Sequence, residues 1–533
     1  MKKVLLLAIN AKYVHSSLSV WVLAEAVKKF AKYSYNVSVV EATINEPTQK
    51  IVDTIFALSP DVVCVSSYIW SAKILPNILT QLKECLPNAV FVLGGPEATF
   101  NADYWVDGLA DYVLSGEGEY TLPPFLDTLI DGVAHQAIKD RSAPIDPYSD
   151  DYFAALKGRL AYIETSRGCP FSCAFCLSAD ASVRFFPLQT IKEQIRKLAM
   201  SSTKTIKFVD RTFNCNAERA YEIFEFCLSL NAACKFHFEV AADLFDERTL
   251  QLLETAPHGC FQFEIGIQSF FEPTLQASSR KTDLLKVSEN ITRLMKKKNI
   301  HIHIDLIAGL PHESLIEFEK SFNKAYELRT HHLQLGFLKL LHGSSLRTQA
   351  GDFGIAYSDQ APYEIIRNNW LSESDIQVLK RTENALQHTY NKGRFLTVTD
   401  YILKATKLTP FTLYNKLGES FPNHGTQLEK YACQVFSLYK NLPDVVEEEL
   451  IDHFLFDWLS MVKGKNAPAF LKPRLAASQD VIYEYEKHLG RKYRRGEAGF
   501  LSDGTILMVD SGNRDTVTGL YCVFTLNVIY SPS

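Results

Sequence analysis

The sequence predicts an α/β protein made of two successive sets of parallel strands and a mostly helical carboxyl-terminal extension. Short apolar strand patterns alternate with longer helical patterns over residues 1–132, the alternation resumes over residues 160–342, and it stops after Gly343. Strands that alternate with helices in this way form parallel sheets with helices packed on their faces. The predicted domains are residues 1–135, 155–345 and 346–533.

The first domain is predicted to contain a doubly wound, five-stranded parallel sheet. Its strand patterns lie at residues 4–9, 36–41, 61–66, 89–93 and 111–114. Ligands of such sheets bind beyond the carboxyl ends of the strands, and glycines there let a bulky ligand approach the backbone. The candidate ligand-binding residues at three of these ends are Ser66, Ser67, Tyr68, Gly94, Gly95, Pro96, Glu97, Gly116, Glu117 and Gly118.

The second domain is predicted to be an incomplete, TIM-like (β/α)6 barrel, with strands at residues 161–165, 205–210, 235–240, 261–267, 301–307 and 333–338. Side chains alternate between the two faces of a strand, so three successive strands each have a polar face. The polar residues are Lys235, His237, Glu239, Gln262, Glu264, Gln268, His301, His303 and Asp305, and Gly266 lies on the same face. Branched aliphatic residues fill a packed barrel interior. The pattern therefore favours a lined cavity over a sheet face exposed to solvent.

A cysteine triplet directly follows the first strand of this barrel. Cys169, Cys173 and Cys176 have the spacing C-x3-C-x2-C, and the next cysteine is Cys215. Structural zinc normally takes four protein ligands, and a disulfide would leave one thiol over. A four-iron cluster held by three thiolates keeps one iron open for a small molecule. The triplet therefore predicts a 4Fe-4S cluster with one open iron.

This motif, with Phe175 before the third cysteine, resembles the signature of radical S-adenosylmethionine (SAM) enzymes. The resemblance implies that SAM binds the open iron and is cleaved to a 5'-deoxyadenosyl radical. It also implies that Asp210 accepts hydrogen bonds from the SAM ammonium group and that Glu239 contacts the SAM ribose or carboxylate. Residues 264–269 and 305–313 resemble the segments around the methionyl group and the adenine, which assigns Gln268 and Ala308 to SAM.

Three further residues are candidate catalytic groups beside Asp210 and Glu239. Arg211 stands where the family commonly has a second acidic residue, and it pairs with Asp210 or faces the substrate. His303 and Asp305 lie on the polar face of the fifth barrel strand. Titratable groups that line a cavity are candidates for proton transfer or substrate binding.

The loops of the first domain resemble those of the cobalamin-binding domain that precedes some radical SAM domains. Relatives that ligate cobalt through histidine carry Asp-x-His-x-x-Gly after the first strand, whereas this chain reads Asn10-Ala-Lys-Tyr-Val-His15. We therefore expect bound cobalamin to have no histidine ligand from the protein, with His15 as an ordinary loop residue. The alternative is a sheet that only packs, or that binds a partner, after loss of its cofactor.

The extension resembles that of an uncharacterised group of cobalamin-dependent radical SAM proteins. Trp370, Tyr390 and Arg394 lie in the matching segments, and packing roles or substrate contacts both remain open for them. Helices are expected near residues 372–390 and 444–461, and short strands with a turn at residues 510–513 are expected near the end.

Composition sets the expected environment of the chain. A hydrophobic content of 47% and a net charge of -5 are typical of a soluble globular protein without a nucleic-acid partner. The eight cysteines outside the triplet are scattered, which fits a reducing cytoplasm. The apolar start reads as a buried strand instead of a signal peptide, and no stretch is long enough to span a membrane.

The resemblance implies transfer of a methyl group from methylcobalamin to an unactivated carbon after the radical abstracts a hydrogen atom. The substrate would be a small molecule or a peptide, and flavodoxin or ferredoxin would donate electrons. Two alternatives remain open. Cobalamin could assist a radical rearrangement, oxidation or cyclisation without methyl transfer, or the chain could be a cobalamin- or redox-responsive regulatory binding protein.

Overall fold

The computed structural model describes residues 1–526 except residues 143, 180, 422–426, 463–465 and 476–478. The described chain divides into two compact units. The first unit comprises residues 1–263, 276–282 and 337–369, and the second comprises residues 264–275, 283–336 and those from 370 onward. No helix in the described ranges is both long enough and apolar enough to cross a bilayer.

The amino-terminal third contains the predicted five-stranded parallel sheet, in the order β2-β1-β3-β4-β5. Its strands are β1 (Lys2–Asn10), β2 (Tyr35–Thr43), β3 (Val62–Ser66), β4 (Val90–Gly94) and β5 (Tyr112–Val113). Its helices are α1 (Leu18–Phe30), α2 (Thr48–Leu58), α3 (Leu75–Cys85), α4 (Pro96–Phe100), α5 (Ala102–Val106) and α6 (Gly118–Asp131). The strand order reverses between β1 and β3, which is where doubly wound sheets bind ligands.

Alternate residues of these strands form a continuous apolar core. Leu5 and Leu7 of β1 and Leu93 of β4 are fully buried and belong to the same cluster as Ile55 of α2 and Leu79 of α3. Because side chains alternate along a strand, this cluster covers one face of the sheet. This packing holds the strands in place, and loops extend from their carboxyl ends.

The second sheet has six strands in the order β13-β12-β11-β10-β9-β6. Parallel pairing joins β6 to β9 and β9 to β10. The strands of this region are β6 (Ala161–Ile163), β7 (Ser166–Cys169), β8 (Ala181–Phe185), β9 (Thr205–Phe208), β10 (Lys235–Glu239), β11 (Phe261–Gln268), β12 (His301–Ala308) and β13 (His332–Phe337). The helices are α7 (Asp150–Leu156), α8 (Leu188–Ala199), α9 (Ala217–Ser229), α10 (Glu247–Glu254), α11 (Glu272–Ala277), α12 (Leu284–Lys297) and α13 (Leu315–Glu327). The six predicted strands are confirmed.

The predicted two-faced strands are confirmed in β11 and β12. Ile265 and Leu306 are fully buried, whereas Glu264, His303 and Asp305 on the opposite faces are partly exposed. One pair of strands was not predicted from the sequence. β7 and β8 form a separate two-stranded antiparallel sheet.

The carboxyl-terminal extension is mostly helical, as predicted. It contains α14 (Ser345–Thr348), β14 (Ala356–Tyr357), β15 (Ile365–Arg367), α15 (Glu373–His388), α16 (Leu396–Thr406), α17 (Pro410–Ser420), α18 (Leu428–Tyr439), α19 (Glu447–Met461) and α20 (Gln479–Leu489). The antiparallel strands β16 (Ala498–Phe500), β17 (Ile506–Arg514) and β18 (Tyr521–Leu526) follow. Ser372 and Asp375 form a capping box that begins α15.

The turn predicted at residues 510–513 is wrong. Asp510 and Arg514 both pair with β18, and the register shifts between them, so these residues form an irregular stretch within β17. The chain reverses after Arg514, where the Asp515 amide donates to the Leu520 carbonyl oxygen. A strand can absorb extra residues as a bulge, and glycine with small polar neighbours suits a bulge as well as a turn.

Candidate cofactor sites

The three cysteines lie on a hairpin in the first unit. The antiparallel strands β7 and β8 pair Ser166 with Phe185 and Cys169 with Ala181, which fixes both ends of the segment. Gly168 has φ +103°, and an added Cβ would lie 2.4 Å from the Ser182 carbonyl oxygen. Only glycine therefore lets β7 approach β8 directly before Cys169.

Each cysteine sulfur has a hydroxyl, guanidinium or amide group beside it. Cys169 Sγ lies 3.6 Å from Thr212 Oγ1. Cys173 Sγ accepts a hydrogen bond from Arg280 at 3.4 Å, and Cys176 Sγ accepts one from the Ser178 amide at 3.4 Å.

Burial raises the pKa of the Cys173 thiol, and Arg280 opposes that rise. The guanidinium beside Cys173 and the amide beside Cys176 favour the thiolate, which is the form that binds iron. The Thr212 hydroxyl beside Cys169 donates to the Arg211 carbonyl oxygen at 2.9 Å. The donor set therefore fits a cluster held by three cysteine thiolates.

Two distant segments hold the backbone between Cys173 and Cys176. The Ala174 amide donates to the Ser278 carbonyl oxygen at 2.9 Å, and the Ala174 carbonyl accepts from the Leu346 amide at 2.8 Å. The Ser345 hydroxyl donates to the same carbonyl at 3.1 Å. Hydrogen bonds from two segments thus fix this part of the backbone. Arg280 belongs to the same segment as Ser278.

Asp210 ties the end of β9 to the start of the cysteine hairpin. It is 1% exposed, and it accepts hydrogen bonds from the Thr165 amide at 3.1 Å, the Thr165 hydroxyl at 2.7 Å and the Ser166 hydroxyl at 2.5 Å. Burial raises the pKa of Asp210 to about 6, against the opposing effect of these hydrogen bonds. Arg211 is exposed, and within the described residues it forms no ion pair with Asp210. The SAM-ammonium role of Asp210 and the catalytic role of Arg211 stay predictions.

An arginine–carboxylate network joins the same hairpin to the loop before α6. Glu117 lies 2.8 Å from Arg167, 2.6 Å from Arg184 and 3.0 Å from Arg141. Arg167 also contacts Glu119 at 2.7 Å. Burial alone would raise the pKa of Glu117, but Arg184 and Arg167 lower it below its ordinary value. The Glu117 side chain, predicted to contact cobalamin, therefore positions this loop against the cysteine hairpin.

The loops after β3 and β4 are locked together at the carboxyl edge of the first sheet. The Ser67 amide and hydroxyl donate to the Gly94 carbonyl at 2.8 and 2.9 Å, and the Ser67 hydroxyl accepts from the Ala98 amide at 3.0 Å. Gly95 has φ +94°, and a Cβ there would lie 2.5 Å from the Ser67 carbonyl oxygen. Ser67 is fully buried, so its hydroxyl and the Gly95 backbone hold the two loops together at the edge where doubly wound sheets bind ligands.

Other predicted residues at this edge differ in environment. Tyr68 stacks on Trp70 with ring centroids 4.4 Å apart, and the Trp70 indole donates to the Ile9 carbonyl at 2.9 Å. The Ser66 hydroxyl lies 3.0 Å from that of Ser19. Pro96 begins α4, Gly118 begins α6, and Gly116 is exposed in the loop before it.

Glu97 links this edge to the carboxyl-terminal extension. Its carboxylate accepts a hydrogen bond from the Tyr363 hydroxyl at 2.5 Å. Burial raises the pKa of Glu97, against the effects of Tyr363 and Arg347. The cobalamin contacts assigned to this edge stay predictions.

His15 contacts the first strand of the second sheet. Its Nδ1 lies 2.5 Å from the Tyr162 hydroxyl of β6, and its backbone bridges to Leu160. Burial, with Lys12 and Lys207 nearby, lowers the pKa of His15. The side-chain contact involves Nδ1 only, so the expectation that His15 does not ligate cobalt stays a prediction.

The remaining predicted residues divide between the units. In the first unit, Glu239 pairs with Lys207 at 3.3 Å, and Phe175 is half-buried. In the second unit, Gln268 has φ +73°, and its Oε1 is buried without a hydrogen-bond partner among the described residues. Ala308 is fully buried, and the imidazole of His303 lies 2.9 Å from the carboxylate of Asp305. Their assignments to SAM or to catalysis stay predictions.

Sequence reasoning missed Arg280 and Thr212. Arg280 lies 107 residues from Cys173, in a segment with no strand, helix or motif pattern of its own. Thr212 lies two residues after the candidate residue Asp210. Neither residue carried a local signal, because each acquires its place only when distant segments meet.

The fold and cysteine hairpin define a cluster-binding α/β protein with a separate ligand-binding sheet. Comparison with known families identifies both parts. Residues 4–126 match the B12 binding domain, residues 163–325 match the radical SAM superfamily, and residues 351–494 match a domain described as a protein of unknown function, DUF4080. The predicted resemblance to cobalamin-dependent radical SAM proteins is confirmed. A radical SAM domain implies a 4Fe-4S cluster and SAM, and a B12 binding domain implies cobalamin.

Individual proteins also resemble this chain. The cobalamin-dependent radical SAM methyltransferase TokK of Streptomyces tokunonensis is 26% identical over 346 residues, which cover 57% of this chain and 50% of that protein. The anaerobic magnesium-protoporphyrin IX monomethyl ester cyclase of Cereibacter sphaeroides is 23% identical over 320 residues, covering 52% and 51%. The chain thus spans about half the length of each relative. The structure of OxsB, a cobalamin-dependent SAM radical enzyme, with aqua-cobalamin and SAM bound has a TM-score of 0.58 at 14% identity and covers 85% of this chain and 78% of that chain.

Asp210→Asn tests the anchoring role of this carboxylate. If Asp210 accepts from the SAM ammonium, loss of the charge removes about 1.5–3 kcal/mol, or about ten- to a hundredfold in SAM affinity. The cluster should remain, since no cysteine changes. Asp246→Asn, at the N-cap of α10, is the matched control and should leave SAM affinity unchanged. Unchanged SAM affinity with a lowered melting temperature in Asp210→Asn would show that Asp210 only holds the hairpin.

His15→Ala tests the state of bound cobalamin. Since the chain lacks the Asp-x-His-x-x-Gly motif, electron paramagnetic resonance of the cob(II)alamin form should show no nitrogen coupling from the protein, in wild type and variant alike. A histidine coupling that disappears in His15→Ala would contradict this expectation.

Proposed function

We propose that the chain is a cobalamin-dependent radical SAM enzyme that transfers a methyl group to an unactivated carbon of a small-molecule or peptide substrate. The observation that carries the proposal is the cysteine hairpin, in which three thiols each have a polar neighbour and the intervening backbone is fixed from two sides. The B12 binding domain adjoining the radical SAM domain in sequence, and the methyltransferase relatives, support it.

When bound, the cluster and SAM would supply a 5'-deoxyadenosyl radical and cobalamin would supply the methyl group. The chain's own residues hold and orient these groups. Cys169, Cys173 and Cys176 hold three irons, and Arg280 donates to the Cys173 sulfur. Asp210 holds the hairpin through Thr165 and Ser166, and its Oδ2 can accept a further bond from the SAM ammonium.

The amino-terminal edge supports the cobalamin assignment through its geometry. Ser67 and Gly95 hold two loops together at the carboxyl ends of β3 and β4, where a doubly wound sheet binds its ligand. A concave site at such an edge can bind a large ligand without a metal bond from the protein. Because the chain lacks the Asp-x-His-x-x-Gly motif after its first strand, we propose that cobalamin binds with no protein nitrogen on cobalt. A small electron-transfer protein such as flavodoxin or ferredoxin would supply the electron.

The experiment that tests the proposal measures two products of SAM in one reaction. The reconstituted, cobalamin-loaded chain is reduced without oxygen in the presence of SAM and extract from its source cells as substrate. Methyl transfer predicts 5'-deoxyadenosine and S-adenosylhomocysteine together. The cyclase relative favours the second candidate function, a radical reaction without methyl transfer, which predicts 5'-deoxyadenosine without S-adenosylhomocysteine. If neither product forms, both functions are contradicted, and a regulatory binding protein is favoured.

Single cysteine variants identify the cluster ligands. Cys169→Ala, Cys173→Ala or Cys176→Ala should each abolish the 4Fe-4S absorption and SAM cleavage, because a missing thiolate opens a second iron. Cys215→Ala is the matched control, a partly buried cysteine close to Cys169 but outside the hairpin, and it should retain both. Iron and sulfide analysis with anaerobic spectra checks the result. Loss of the cluster in Cys215→Ala, with retention in a triplet variant, would show that the ligand assignment is wrong.

A further inference from the structure

The second unit contains a compact group of potential metal ligands on its polar strand faces. Glu264 lies on β11, and His303 and Asp305 lie on β12, separated by one residue and therefore on the same face. One ligand atom from each of the three residues lies within 4.8 Å of the others. Two strands thus bring one imidazole and two carboxylates to one place.

The contact between His303 and Asp305 is unlike a hydrogen bond. Nε2 and Oδ1 are 2.9 Å apart, and the two side chains are 14% and 15% exposed. Both atoms are buried, yet neither makes a hydrogen bond to any residue that the structure describes. At this distance, an N–H aimed at the carboxylate would form one. The two atoms are therefore neighbours that do not face each other.

Two atoms that bind the same metal ion lie close together and face the ion instead of each other. Metal–nitrogen and metal–oxygen bonds of about 2.1 Å at right angles place adjacent donor atoms about 3 Å apart. The observed 2.9 Å matches that spacing. A divalent ion bound at this place would interact favourably with both carboxylates.

We propose that His303, Asp305 and Glu264 bind one divalent transition-metal ion, such as Zn²⁺, Fe²⁺ or Mn²⁺. An imidazole nitrogen favours these ions over Ca²⁺ and Mg²⁺, and the lack of sulfur in the set disfavours Cu⁺. Three protein ligands leave coordination positions open for water or for oxygen atoms of a substrate. His303 and Asp305 are also candidate catalytic groups of the radical SAM domain, but metal binding can be measured without knowing which reaction that domain performs.

Mn²⁺ titration tests the proposal on the intact chain with its cluster and cobalamin loaded. Mn²⁺ suits the test because it binds thiolates weakly and does not compete for the triplet cysteines. Loss of the free Mn²⁺ signal in electron paramagnetic resonance measures binding. We expect one Mn²⁺ per chain, displaced by Zn²⁺, with affinity at least tenfold lower in His303→Gln and Asp305→Asn. His301→Gln, on the same face of β12, is the matched control and should change affinity less than twofold.

The wild-type titration decides the question even where a variant fails to fold. No saturable Mn²⁺ or Zn²⁺ binding by the folded wild-type chain would overturn the proposal. Equal Mn²⁺ affinity in wild type, His303→Gln and Asp305→Asn would also overturn it. As a second measurement, Zn²⁺ should raise the melting temperature of wild type and His301→Gln but not of His303→Gln. Formation of 5'-deoxyadenosine is measured separately, so failure of this site and failure of the proposed function are distinguishable.

Discussion

The buried carboxylate of Asp210 is the constraint on which the cysteine hairpin depends. A carboxylate without solvent is unfavourable unless its oxygens accept hydrogen bonds, and Thr165 and Ser166 provide three. Those bonds fix the chain between the end of β6 and the start of β7, three residues before Cys169. The strand ends of the barrel and the cysteines therefore keep a defined relationship before any cofactor binds. Such preorganisation is what a reactive centre requires of its protein.

A second constraint couples the hairpin to the amino-terminal sheet. Arg167 and Arg184, from the two strands of the hairpin, both contact Glu117 in the loop that begins α6. Partly exposed ion pairs contribute little singly, but planar guanidinium groups on one carboxylate restrict its orientation. The loop proposed to surround cobalamin and the strand that ends at Cys169, the first proposed cluster ligand, thus share one network. Displacing either one alters the position of the other.

Much of the fold could be predicted because strand and helix periods are local. The alternation in β11 and β12 gave both the strands and their polar faces. The hairpin of β7 and β8 could not be predicted this way, since Ser166 to Cys169 show no period and the register shifts at Gly168. The turn misplaced at Asp510 failed because small polar residues suit a bulge equally well. Among the site residues, the cysteines were recognised from their spacing. Arg280 could not be recognised, because it lies beside Cys173 only after distant parts of the chain come together, which no local pattern encodes. The boundaries of the three predicted domains stay predictions.

The central claim is that three cysteine thiolates hold the cluster and leave one iron for SAM. Electron–nuclear double resonance on the reduced chain, with SAM labelled by ¹⁵N in its amino group and by ¹⁷O in its carboxylate, tests this claim most directly. The account predicts couplings from both labels to the cluster spin, because the open iron binds both groups. A reduced cluster that shows neither coupling with SAM bound at saturation would contradict it.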